Sequence, residues 1–150
     1  MTNKEIVDSA VEAYEDVRPR YQSLSETVRN ILLHAIPDDC CVHSIEARAK
    51  DVSSFRRKAE RFDEQDRKKL KYTEPLCQIT DLAGVRVIAF FPKSLSRICD
   101  SIENEFDVKW KKDLGEERFV QGKFGYKSIH YLVKIPKKKR SGLSIKDLMI

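Results

Sequence analysis

Arg48, Lys50, Ser54 and Lys58, spaced RxKxxxSxxxK, are of types that together can hold phosphate. They run from the expected end of a strand into the first turns of a helix. Amides at a helix N-terminus are unsatisfied donors, and a hydroxyl with several cations around them makes a site able to hold a polyphosphate. The same spacing also fits a solvated basic face with a capping serine. A second group is Asp81 and Arg86 in DLAGVR, a carboxylate just before an apolar strand and a cation within it. Gly84 lets the backbone pass closely there. Hard cations prefer carboxylate oxygens, so Asp81 beside phosphates is a candidate magnesium ligand; a salt bridge to a neighbouring cation is the plainer alternative. The third group is Gly125, Tyr126, Ser128 and His130 in GYKSIH. A tyrosine beside a glycine can offer a ring face to a base, and a histidine there can bind phosphate or position a hydroxyl. A hairpin glycine, a core tyrosine and a satisfied histidine would look the same.

These groups need elements to position them. Thr2 and Glu5 form a capping box, after which Ile6, Ala10, Ala13, Val17, Tyr21, Leu24, Val28, Ile31 and Ala35 recur at helical spacing. Pro19 interrupts that pattern and predicts a kink or two shorter helices, and Pro37 ends it. Residues 41–49 alternate as a short strand, and Ser53 or Ser54 is expected to cap a helix with Phe55, Ala59 and Phe62 on one face. The charged stretch 63–75 reads as a mobile loop. Residues 83–91, apolar but for Arg86, predict a central strand covered on both faces. Ser94 can cap a helix with a Leu95, Ile98, Ile102 and Phe106 stripe, followed by strands at Val108 and Trp110 and at Ile129 to Ile135. The order is helix, strand, helix, strand, helix, strand, strand, an α/β layer architecture with a mixed sheet. A helical segment over 1–37 precedes a domain over 38–150. Leu148, Met149 and Ile150 read as the opening of a further strand, so the chain is expected to be cut mid-element.

Bulk properties narrow the partners. A chain of 150 residues with 41% hydrophobic and 35% charged residues is long enough and mixed enough to fold around one core. Its formal net charge of +5 favours an anionic partner. Cys40, Cys41, Cys77 and Cys99 make no CxxC pair, which suits reduced thiols of the cytoplasm. Residues 1–13 carry no apolar h-region and no apolar run approaches a membrane span, so no membrane partner is expected. The run Lys137, Lys138, Lys139 and Arg140 is expected to be a solvated hairpin, with an RNA contact as the alternative.

Taken together, RxKxxxSxxxK, DLAGVRVI and GYxSxH, in this order and with a helix between the last two, resemble the RelA/SpoT alarmone synthetase domain over residues 43–135. The resemblance implies a nucleotidyltransferase-like mixed β-sheet flanked by helices. It implies transfer of pyrophosphate from ATP to the 3′-hydroxyl of GDP or GTP, with Mg2+ as cofactor, as in the guanosine tetraphosphate metabolism of the stringent response. Carried over by position, Arg48 and Arg86 would sandwich the adenine while Lys50, Ser54 and Lys58 hold the phosphates. Asp81 would bind magnesium, Tyr126 would stack on the acceptor's guanine, and Lys123 and His130 would lie near the acceptor. Asp81 and His130 are the implied catalytic residues. In the family a later strand carries a glutamate within ExQxRT, which is expected to follow Ile150; lack of turnover is therefore expected of the 150 residues, as a nucleotide-binding module or as a fragment not stable alone. The FGYxSxHY form, with Phe124 and Tyr131, resembles a divergent branch that includes toxin-like members modifying tRNA ends, and makes tRNA the alternative acceptor.

Overall fold

The computed structural model describes residues 1–114 and 128–137. The chain opens with α1 (Asn3–Ala35), a helix of 33 residues started by the capping box. In that box the Thr2 amide donates to Glu5 Oε2 at 2.6 Å and the Glu5 amide to Thr2 Oγ1 at 3.2 Å. Of the two outcomes expected at Pro19, division into two helices does not occur: Pro19 lies inside this single helix. Pro19 is exposed, so the carbonyl it leaves without an amide can turn to water. The turns on either side are held by Val11 and Tyr14 before it and Leu24 and Val28 after it, all buried.

A 3-10 turn (Asp38–Cys40) follows, and Cys41, at φ 50, reverses the chain into β1 (Val42–Ala49). Then come α2 (Val52–Ala59), the short α3 (Pro75–Gln78), β2 (Ala83–Ala89), α4 (Leu95–Glu105), β3 (Asp107–Asp113) and β4 (Ile129–Lys134). This is the expected α/β order with α3 added. The described strands form two antiparallel ladders, β1 with β2 and β3 with β4. The stretch after α2 has little regular structure, as expected. Its ends are nevertheless tied: the Asp63 amide donates to the Lys69 carbonyl at 2.9 Å and the Lys71 amide to the Arg61 carbonyl at 2.7 Å.

Three further expectations change. Asp51, not Ser53 or Ser54, is the N-cap residue of α2, and no side chain among the described residues bonds the first-turn amides. Ser94 sits at the α4 N-cap without a side-chain bond and is buried instead. The strand expected over 83–91 ends at Ala89, and Phe90 and Phe91 are exposed. Among the described residues β2 has β1 as its one partner, and Arg86 and Ile88 on its outer side are exposed. The apolar composition of this strand therefore hid an alternation in which Ala83, Val85, Val87 and Ala89 meet the core.

Two apolar clusters share α1. Its first half (Val7, Val11, Tyr14) packs with Phe55 and Ala59 of α2 and with Leu70, Ile79 and Leu82. Its second half (Leu24, Val28, Leu32) packs with Ile45, Ala83, Ile98, Phe106, Val133 and Ile135. Phe55 is fully buried and stacks on Tyr14, with ring centroids 4.4 Å apart at 22°. Burial of such a ring stabilises by about 1.5–3 kcal/mol. Of the expected α4 stripe, Ile98 and Phe106 are buried in the core and Ile102 is packed against it, whereas Leu95 belongs to neither cluster. All four cysteines are free thiols, Cys40 and Cys99 buried.

α1 also lies along an edge of β1. In an antiparallel ladder alternate residues turn their amides and carbonyls away from the partner strand. Those groups of Ile45 and Ala49 meet side chains of α1: Arg29 Nε donates to the Ile45 carbonyl at 2.7 Å, and the Ala49 amide donates to Gln22 Oε1 at 2.9 Å. An edge that would otherwise be open is thus covered by a helix.

Candidate phosphate-binding site

The residues preceding and following the β1–α2 junction are brought to one carboxylate. Lys50, on the turn that leaves β1, places its Nζ 2.8 Å from Asp81 Oδ2. Lys58, near the end of α2, places its Nζ 2.9 Å from Asp81 Oδ1. Asp81 is half exposed, whereas the Lys50 and Lys58 side chains are only 17% and 22% exposed. Burial pushes the Asp81 carboxyl up, and hydrogen bonds and charge from the two ammonium groups more than reverse this, leaving it below its ordinary value. Asp81 is therefore ionised at neutral pH, and two cations share one anion. The pair Lys50–Asp81 is also fixed through the main chain, because the Lys50 amide donates to the Leu82 carbonyl at 2.8 Å.

Arg48 and Arg86 lie on the outer face of the β1–β2 ladder. The register sets Arg48 opposite Gly84 and Glu46 opposite Arg86, so the two arginines are diagonal neighbours on one exposed face. Such diagonal positions stand about 7–8 Å apart, the spacing that admits one planar ring between two guanidinium planes. Gly84 keeps this strip low: an added Cβ would meet only the Arg48 carbonyl oxygen, at 3.9 Å. Ser54 is in the first turn of α2, where its Oγ accepts from Arg57 Nη2 at 3.1 Å.

Not all expected residues join this group. His130 is on β4, across from Lys112, and its Nε2 lies 3.1 Å from Ser128 Oγ. No hydrogen bond or ion pair among the described residues links it to Asp81. Tyr126 and Lys123 lie outside the described residues, as do Phe124, Lys138 to Arg140 and Leu148 to Ile150. A shallow depression of about 490 Å³ between α1 and α4, lined in part by Thr27, Asn30, His34 and Glu105, contains none of the expected site residues.

No group of three or more His, Cys, Asp or Glu side chains among the described residues could hold an ion. Asp81 alone suits magnesium in one respect, since that ion is commonly held by one or two carboxylates with substrate phosphates and water completing the shell. One carboxylate beside two ammonium groups is compatible with an ion that arrives bound to phosphates, although both Asp81 oxygens here meet lysines.

Sequence reasoning missed Tyr14, Arg18 and Gln22. Tyr14 Oη donates to the Lys50 carbonyl at 2.7 Å, and Arg18 Nε donates to the same oxygen at 3.0 Å. Arg18 Nη2 also reaches the Ala49 carbonyl at 3.4 Å and lies 3.8 Å from Asp51 Oδ1. Burial pushes the Tyr14 hydroxyl up to about 12, so it stays a donor. A readable signal existed: these residues stand at i, i+4 and i+8 on α1, polar positions continuing the stripe that holds Val7 and Val11.

No helix among the described residues is long and apolar enough to cross a membrane. Searches of curated proteins and of solved structures give no match. A family model described as a region found in RelA / SpoT proteins matches residues 47–148, well over half of the chain. That span contains Arg48, Lys50, Lys58, Asp81 and Arg86 and leaves out α1, with Arg18. The chain belongs to the RelA/SpoT family, whose chemistry in broad terms is that of pyrophosphokinase-type transferases acting on nucleotides.

Proposed function

We propose that this domain binds ATP with Mg2+ and transfers its terminal pyrophosphate to the 3′-hydroxyl of a guanosine nucleotide, GDP or GTP. The observation that carries the reading is the convergence of Lys50 and Lys58 on Asp81, beside an exposed face bearing Arg48 and Arg86. In this reading the arginines take the adenine between them, and Lys50, Lys58, Ser54 and the free amides of α2 take the phosphates. Asp81 holds the magnesium ion, which when bound offsets phosphate charge. Tyr126 and Lys123 receive the guanosine acceptor, and His130 lies near its phosphates. The acceptor oxygen forms a bond to the β-phosphorus as the bridging bond to the α-phosphate breaks, and AMP leaves. Orientation and charge neutralisation supply most of the acceleration in such a transfer.

The FGYxSxHY form supports a second acceptor, the 3′ end of tRNA. Calorimetry on the folded chain with ATP and Mg2+ tests the common part; absence of heat overturns the nucleotide reading. Label transfer from ATP then separates the acceptors. AMP with a 3′-pyrophosphorylated GDP or GTP supports the first, and labelled tRNA supports the second. ATP binding with neither product identifies these residues as a nucleotide-binding module.

A further inference from the structure

α1 lies outside the matched residues 47–148, yet it holds the main chain that presents Lys50. We propose that Tyr14, Arg18 and Gln22 are positioning residues for the phosphate-binding junction. They fix the backbone of Ala49 and Lys50 so that the Lys50 ammonium meets the polyphosphate. The inference rests on the ATP reading given above.

Four hydrogen bonds from one stripe of α1 end on two consecutive residues. Gln22 takes the Ala49 amide, Arg18 the Ala49 and Lys50 carbonyls, and Tyr14 the Lys50 carbonyl. The Lys50 carbonyl thereby accepts both a hydroxyl and a guanidinium. On its amide side Lys50 is tied to Leu82, the neighbour of Asp81, so both main-chain groups of this residue are held by distant segments. Tyr14 also stacks on Phe55, and Phe55 belongs to α2, the helix carrying Ser54 and Lys58. One side chain thus sets the turn and the helix relative to each other. Arg18 reaches towards Asp51, and the side chain of that N-cap residue forms no bond to the first-turn amides of α2. Among the described residues the first-turn donors therefore have no side-chain cap beside Lys50. A long lysine stem on an unclamped turn would lose rotational and backbone freedom on meeting phosphate, and prior fixation of the turn removes part of that loss.

The test is calorimetry of ATP with Mg2+ on the full chain, with thermal melting of each variant. Tyr14→Phe keeps the ring on Phe55 and removes only the hydroxyl; Arg18→Gln removes the fork from a side chain more than a third exposed. Each is expected to weaken ATP about three- to tenfold, from the net worth of one to two hydrogen bonds. In a Lys50→Ala background the same changes should add nothing, because the effect passes through Lys50. Unchanged ATP affinity in folded Tyr14→Phe and Arg18→Gln overturns the inference, as does equal weakening in the Lys50→Ala background. Loss of melting temperature alone marks a purely structural contact and also overturns it. Should Tyr14→Phe fail to fold, Arg18→Gln decides. A wild-type chain that binds no ATP overturns the nucleotide reading and this inference together, whereas a binding wild type with indifferent variants overturns only this one.

Discussion

Replacing Asp81 by Asn should have opposite effects on ATP binding without and with metal. In the free protein Lys50 and Lys58 are each within 3 Å of a separate Asp81 oxygen, at 2.8 and 2.9 Å. Triphosphate must compete with that carboxylate for both ammonium groups, and its own negative charge is repelled by the Asp81 carboxylate beside them. A hydrogen bond between charged partners contributes about 1.5–3 kcal/mol when sheltered and an exposed ion pair about 0.2–1 kcal/mol. Asp81 is half exposed and the lysine side chains are mostly covered, so each pair is discounted to about 0.5–1 kcal/mol. Two pairs then oppose metal-free phosphate binding by about 1–2 kcal/mol, or roughly 5- to 30-fold in affinity. Calorimetry with ATP in excess chelator should therefore show Asp81→Asn binding more tightly than wild type. With Mg2+ present the order should narrow or reverse, because the variant has lost the carboxylate that meets the ion. If chelated ATP binds the variant no better than wild type, the lysines do not exchange carboxylate for phosphate and the site is wrongly drawn.

Three other outcomes follow from the same contacts. The Asp81 carboxyl sits below its ordinary value of 3.8, so its contribution to stability is fully present above that pH and is lost as pH falls through the lower folded value; acid unfolding of Asp81→Asn should be less steep below about pH 4. Phe55→Ala removes a fully buried ring stacked on Tyr14 and should cost about 3–5 kcal/mol in denaturant unfolding; a loss under 1 kcal/mol would mean that α2 does not depend on that contact. Pro19→Ala, at an exposed position inside α1, restores a helix amide and should stabilise by about 1–2 kcal/mol after the greater freedom of the unfolded chain is subtracted. A fall in melting temperature for that variant would show that α1 needs the proline's geometry.

Elements with strong local signals were legible before folding was considered. The Thr2 and Glu5 capping box starts α1, and the period of β1 and the stripe of α4 appear where their residues place them. The cation spacing around Lys50 and Lys58 and the acid at Asp81 were visible as well. Pro19 does not divide α1 because its local cost is set against packing on both sides of it, which is a tertiary quantity. The uniformly apolar run at 83–91 misled because composition does not say which face a strand turns to the core.

The amino-acid order by itself determined the inventory: which residues can cap, which can alternate, and which cations and acids stand close in the chain. Only the folded chain decided that Lys50 and Lys58 meet on Asp81, and that Arg48 and Arg86 are diagonal on one face. It also decided that α1 grips the turn before α2 through Tyr14, Arg18 and Gln22. The reason is one of range. Capping and periodicity act over a few neighbouring residues, whereas ion pairs and edge contacts join segments tens of residues apart, whose approach depends on how α1 buries its apolar stripe against both clusters at once.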